Sequence, residues 1–375
     1  MDMATIAMCP AKAPMTTTSS PKLDDGICLS ATWNRTGVIV AGLKGYGSAL
    51  DRLKSPTGIF LDNNDVLYIA DSVNHRVVKW MPGASSGQVV AGGNENGKNA
   101  NQFNYLSSIV VDKNGTMFIC DRENDRVQQW FANDSQGQTI IQNFSCWGVA
   151  MDKDESLYVS HFREHYVLKW PTNQVVAGGN GEGKNLDQLG YPSQIFVDQD
   201  HSVFVADSQN DRIIKWSIGA KEGIVVAGGN GIGDDANQFS RPAAVIVDDM
   251  GTVYVADNWN NRIVRWPKGA TSGTVIVGGK NASDEMTKLS TPEHLTFDRH
   301  GNLYVADTGY HRILNDNSTC TFNSGSSSLQ PSILTQAQSL RNQARQYQLE
   351  AKAASELSQV EYRFGCKSQA KVFIH

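Results

Sequence analysis

Short apolar segments recur along the chain, cut off each time by glycine, asparagine, aspartate or proline. One stretch shows the plan. AAVIVD (243–248) is an apolar run fit for a strand buried on both faces. After the turn DMG, TVYVAD (252–257) alternates as a half-buried strand does. The loop NWNN leads to RIVRW (262–266), and PKGATSG leads to TVIVGG (274–279). The unit is four antiparallel strands, and it repeats. Its marker aspartate stands at 71, 121, 207, 257 and 307, with His161 in the same slot, at spacings of 50, 40, 46, 50 and 50. Six such units predict an all-β, six-bladed β-propeller of four-stranded antiparallel blades.

The two ends complement each other. The sixth unit has HLTF (294–297), NLYVAD (302–307) and RIL (312–314), then breaks into NDNSTCTFNSGSSS. Its missing fourth strand is expected at GVIVAG (37–42), which would close the ring and remove the exposed edges. The propeller is placed at 28–320, after a disordered segment at 1–27 and before a linker and helical tail at 321–375.

An opening that runs from proline to aspartate (Pro56 to Asp62, Pro192 to Asp198, Pro242 to Asp248, Pro292 to Asp298) precedes a V-A-D-x-x-N-x-R core. On these residues the chain resembles the NHL-repeat family, over nearly all of the propeller. The resemblance implies the fold; propellers carry many unrelated activities, so function must be read from particular residues.

The repeated pairs Asp71/Arg76, Asp121/Arg126, Asp207/Arg212, Asp257/Arg262 and Asp307/Arg312 invite a catalytic reading. Chemistry needs its residues once, so these pairs are expected to fix the loop between the second and third strands. Trp80, Trp130, Trp170, Trp216 and Trp266 are expected to pack between blades; Asp316 in that slot predicts a short or frayed third strand in blade six. GGNENGKN, GGNGEGKN and GGNGIGDD lack the helix and the G-K-[ST] ending of a phosphate loop and read as turns. Asp234 and Asp235 lack the ligand alternation of a calcium loop. No cofactor and no metal are expected.

Loops between second and third strands share a face, the top, with the long links between blades. Functional loops on a rigid scaffold concentrate on such a face. Phe162, Tyr191, Trp259 and Tyr310, with Tyr105, are its large side chains, and the first four are the expected ligand anchors. Counting back from the strand ends, the channel mouth is assigned to Gly58, Ser108, Gly148, Gln194, Ala244 and His294; His294 joins the expected ligand site. One histidine falls short of the three protein ligands of a catalytic zinc. The expected function is a non-enzymatic binding or scaffolding module for a protein, peptide or glycan, and the reading leans against an enzyme. The alternatives are a metal-dependent lyase or hydrolase at the channel mouth, resembling the peptide-amidating lyase, and an RNA-binding NHL domain.

Composition narrows the partners. A net charge of −5 argues against DNA, and the mixed charges of the top loops argue against RNA. No apolar run reaches membrane-spanning length. Six sequons, at Asn34, Asn114, Asn133, Asn143, Asn281 and Asn317, point to an extracellular, secreted glycoprotein, although no signal peptide is visible and a cytoplasmic location is the alternative. Cys28 and Cys320 flank the closure and are a possible disulfide; Cys120 occupies an alanine slot. Blade three, with the shortest spacing, His161 for aspartate and Tyr166 for arginine, reads as drift from the consensus. The tail carries a narrow alanine-rich stripe, so a monomeric propeller with weak tail-mediated association is expected.

Overall fold

The computed structural model describes residues 31–33, 37–282, 286–316 and 318–320. Cys28, the Cys320 side chain, Asn34, Asn317, the N-terminal segment and the tail lie outside the described residues.

Six four-stranded antiparallel sheets follow one another along the chain. Blade one comprises Pro56–Leu61, Leu67–Asp71, Arg76–Trp80 and Gln88–Gly92; blade two, Leu106–Val111, Met117–Asp121, Arg126–Trp130 and Gln138–Gln142. Blade three comprises Cys146–Met151, Leu157–His161, Tyr166–Trp170 and Gln174–Gly178; blade four, Pro192–Val197, Val203–Asp207, Arg212–Trp216 and Ile224–Gly228. Blade five comprises Pro242–Val247, Val253–Asp257, Arg262–Trp266 and Thr274–Gly278; blade six, Pro292–Phe297, Leu303–Asp307 and Arg312–Asp316. The outer strand of blade six is Val38–Ala41, paired antiparallel with Arg312–Asp316. Just beyond it, Ala31–Trp33 pairs with Ser318–Cys320. Each inner strand packs on the next, and that of blade six packs on that of blade one.

The strands form because each blade is apolar on both faces and must be covered twice. The core is accordingly not central. It divides into six apolar clusters, one between each pair of neighbouring blades. Trp80, Trp130, Trp216 and Trp266 are buried in them, and Trp80, Trp130 and Trp266 each donate an indole N–H to a carbonyl four residues on. Trp170 is only half-buried.

The third strand of blade six corrects an expectation. Arg312–Asp316 is a full five-residue strand, because neighbours pair with both of its edges. Asp316 is buried in the tryptophan slot, and burial pushes its carboxyl up to about 7.

Candidate functional site at the top of the ring

The top face is held by a repeated clamp. In blade one, Asp71 Oδ2 accepts from Arg76 Nε at 2.8 Å and from Asn74 Nδ2 at 2.8 Å, while Asp71 Oδ1 accepts from the Lys54 N–H at 2.7 Å. The rest of the Arg76 guanidinium donates to the carbonyls of Ser48, Ala49 and Arg52 in the preceding link. Arg126, Arg212 and Arg262 repeat this, each on its own aspartate and on three link carbonyls. Arg312 pairs with Asp307 at 2.7 Å. Burial pushes the carboxyls of Asp71, Asp121, Asp207, Asp257 and Asp307 up, against the arginine, asparagine and N–H groups that pull them down. The clamp therefore ties a long, glycine-rich loop to the blade that follows it.

Blade three has no such loop to tie. Only Asn143–Ser145 separate the outer strand of blade two from its inner strand. The missing link and the missing Asp–Asn–Arg clamp coincide in this blade. His161 is buried and accepts from the Glu164 N–H at 3.2 Å, and burial lowers its pKa. Tyr166 packs on the His161 and Phe144 rings. Cys146, the first residue of the inner strand, forms a disulfide with Cys120 of blade two, with a Cα–Cα distance of 5.5 Å. The two blades are joined covalently where the long link is missing.

A second repeated device closes the top. Ser72, Ser208, Asn258 and Thr308, each just after the marker aspartate, donate to the carbonyl that opens the next blade: Leu106, Pro242, Pro292 and Pro56. In blades two and three this slot holds Arg122 and Phe162 instead. Both turn into a cluster at the mouth of the ring. The Arg122 guanidinium lies 4.1 Å from the Trp147 ring, 5.3 Å from Phe162 and 5.6 Å from Tyr105. Trp147 stacks on Phe162 at 4.8 Å, Phe162 meets Tyr191 at 4.9 Å, and Tyr191 meets His165 edge-on at 4.9 Å.

The mouth sits one residue above the expected ring. Each inner strand opens on a β-bulge, between Pro56 and Gly58 in blade one and between Pro292 and His294 in blade six. The extra residue is re-aimed, as bulge residues are. These residues are Thr57, Ser107, Trp147, Ser193, Ala243 and Glu293. Below them the shaft is tight. A Cβ on Gly58 would meet Ser108 Cα at 2.7 Å, and one on Gly148 would meet Gln194 Cα at 2.8 Å. Ser108 Oγ donates to Gln194 Oε1 at 2.9 Å, and Gln194 Nε2 donates to the Ser107 carbonyl at 3.0 Å, so two blades meet across the third. His294 belongs to this shaft and pairs with Ala306, which corrects its placement at the mouth. Its Nδ1 is buried without a hydrogen-bond partner, and burial lowers its pKa to about 4.

Glu293 takes the mouth position in blade six. Its carboxyl accepts from Asn258 Nδ2 at 3.2 Å. Burial pushes it up to about 7, against the pull of Asn258 and of the Arg122 charge. Of the four aromatic anchors expected from the sequence, the fold gathers Phe162 and Tyr191. Trp259 and Tyr310 are 61% and 41% exposed on the rim, where Trp259 lies against Arg241 at 5.3 Å and Tyr310 against Arg312 at 4.9 Å; no ring contact joins either to the cluster. Arg122, Trp147 and Glu293 were not singled out from the sequence. The available signal was the substitution of one structural slot in two consecutive repeats.

Among the described residues the grouping able to hold a metal is Asp152, Asp154 and His201, on the opposite face. Lys169 and Tyr158 already occupy Asp152 Oδ2 there, at 3.2 and 3.1 Å. No described helix is long and apolar enough to cross a membrane.

The NHL-repeat family model matches residues 53–80 and 239–266, in blades one and five. The chain is a six-bladed β-propeller with NHL repeats in two of its blades. No curated protein matches it. Among solved structures, a Bacteroides thetaiotaomicron protein of unknown function is similar at TM-score 0.58 and 15% identity, over 76% of each chain. An auxiliary nutrient binding protein from the same organism is similar at TM-score 0.55 and 14% identity, over 73% of this chain and 70% of its own. A virginiamycin B lyase from Staphylococcus aureus aligns at TM-score 0.46 and 9% identity, over 73% and 87%, which is too distant to carry an argument. At these identities the likeness of this propeller to its neighbours is one of fold.

Proposed function

We propose that this NHL-repeat propeller is a non-enzymatic binding module whose ligand site is the mouth cluster of Tyr105, Arg122, Trp147, Phe162 and Tyr191. One observation carries the reading. The stapling slot is given up in two adjacent blades, and the side chains that replace it converge on one half-buried patch. Half-buried aromatic side chains beside an arginine are the composition of binding hot spots. A peptide segment suits the patch, which is small and faces a shaft too tight to admit a chain. Trp259 and Tyr310 are secondary contacts on the rim.

Two features bear on the compartment. A disulfide persists in oxidising surroundings, and Cys120–Cys146 is one. Asn114, Asn133 and Asn143 are exposed. Both features support an extracellular, glycosylated protein, expressed and tested as such.

The enzymatic reading has one observation in its favour: Glu293, a carboxyl held near neutrality at the mouth, is what an acid–base catalyst needs. Reaction screening of the Glu293→Gln protein against the parent decides it.

The binding reading is tested by probing peptide and glycan arrays with the purified protein and with Phe162→Ala. Specific array signals that vanish in Phe162→Ala while the protein still melts as a folded domain, only slightly below the parent, support it. Signals indifferent to Phe162→Ala and to Trp147→Ala overturn it.

A further inference from the structure

The mouth cluster carries a preference in charge. Arg122 is only 22% exposed on its side chain, yet among the described residues its five N–H donors make no hydrogen bond. Its sole ion pair is a long one, Nε to Glu123 at 3.7 Å, with a partner that is itself 44% exposed. This differs from every clamp arginine, each of which pairs with its aspartate at 2.6 to 2.8 Å and donates to link carbonyls. Arg122 is held instead by ring faces, with Trp147 at 4.1 Å, Phe162 at 5.3 Å and Tyr105 at 5.6 Å. Ring faces fix the plane of a guanidinium and leave its edge, where the donors are, uncommitted. A planar fork of unused donors in a partly dry site matches a carboxylate.

The same geometry disfavours a cationic ligand. The chain's own guanidinium already covers the π faces that would attract one. The surroundings then limit the anion. Glu123, Asp125, Glu164 and Glu182 stand on the top loops of blades two to four, outnumbering Lys98, Arg163 and Lys184 among them, and Arg163 makes only a long ion pair, to Asp125 at 3.7 Å. Glu293 faces the cluster from blade six. A polyanion would be repelled by this rim. A single carboxylate beside a flat apolar group, carried by neutral or basic neighbours, would not.

We infer that the mouth recognises a peptide through one carboxylate paired with Arg122 and an adjacent apolar side chain laid on Trp147 and Phe162. The inference rests on the binding reading above. A uronic or sialic sugar also offers a lone carboxylate, but it brings no cationic neighbours to answer the acidic rim, so the peptide is favoured.

The probes are N-acetyl-phenylalanine, its amide, and methyl glucuronide. Each is titrated into the full chain while the indole N–H resonance of Trp147 is followed, assigned by its absence in Trp147→Phe. The acid is expected to shift this resonance saturably and to bind about tenfold more tightly than the amide, the worth of one charge-assisted contact. Arg122→Gln should bring the acid down to the level of the amide, and Arg122→Lys, which keeps the charge without the fork, should fall between. Equal binding of acid and amide overturns the inference and leaves the binding reading standing. Silence of the Trp147 resonance with all three probes overturns both. Tighter binding of the glucuronide than of the acid overturns the assignment to a peptide.

Discussion

Blade three and its five neighbours share one strand plan and differ in what their top loops do. In the five, Asp, Arg and, in four of them, Asn spend their hydrogen bonds on a long link. In blade three the link is three residues long, the clamp is gone, and His161, Phe162, Tyr166 and Trp147 fill the space with rings. The polar clamp stabilises loops that are structural. Where there is no loop to hold, the same positions are free to carry a surface. The Cys120–Cys146 bond supplies the attachment that the missing link would have given.

The sharpest way to break this comparison is to remove one partner from a clamp. Asp207→Ala leaves Arg212 buried and unpaired, and should cost about 3–5 kcal/mol in a urea melt. His161→Ala, at the same slot of blade three, removes a neutral ring and should cost less, about 2 kcal/mol. Equal losses would mean that the slot does the same work in both. Next comes the covalent tie. The Cys120–Cys146 bond closes a loop of 26 residues, so Cys120→Ala paired with Cys146→Ala should lower stability by about 3 kcal/mol. An unchanged melt would show that blade three is attached by packing alone.

Glu293 tests the mouth by pH. Its folded pKa, raised to about 7 from an ordinary 4.5, means that the folded state favours the protonated form. The associated stability is fully present below pH 4.5 and is lost as pH rises through 7, by at most about 3 kcal/mol. Glu293→Gln should make the fall across that window shallower, leaving the part that Asp316 and Asp307 contribute. A parent protein whose stability is level from pH 4.5 to 7 would place the carboxyl in water. The smallest effect is expected at the cluster itself. Phe162→Ala should cost about 1 kcal/mol, because the ring is half-buried and rests on another ring rather than in a core.

The ring was legible in the sequence because its signal is counted many times. Apolar runs and turns recur six-fold and the Asp–Arg spacing five-fold, and each recurrence checks the others. The mouth was not legible, for a local reason. The register slips by one residue at the bulge between Pro292 and His294, so counting inward from the strand end arrived at His294 and passed over Glu293. The cluster was half legible. Phe162 and Tyr191 stood out as large residues in small slots. Arg122 did not, because an arginine on a polar loop is ordinary until its neighbours are known, and Trp147 is 25 residues away in sequence and meets it only after blades two and three are packed. The short spacing before His161 was visible, but its link to the missing clamp requires knowing that Arg126 and its equivalents hold the preceding loop.

The central claim is that ligand binds at the mouth over blades two to four rather than on the rim of blades five and six. Affinity for one array-identified ligand, measured by calorimetry on Phe162→Ala and on Trp259→Ala, decides between them. The account predicts at least about a thirtyfold loss for Phe162→Ala, equivalent to some 2 kcal/mol, and little change for Trp259→Ala. Binding lost with Trp259→Ala and kept with Phe162→Ala would contradict it.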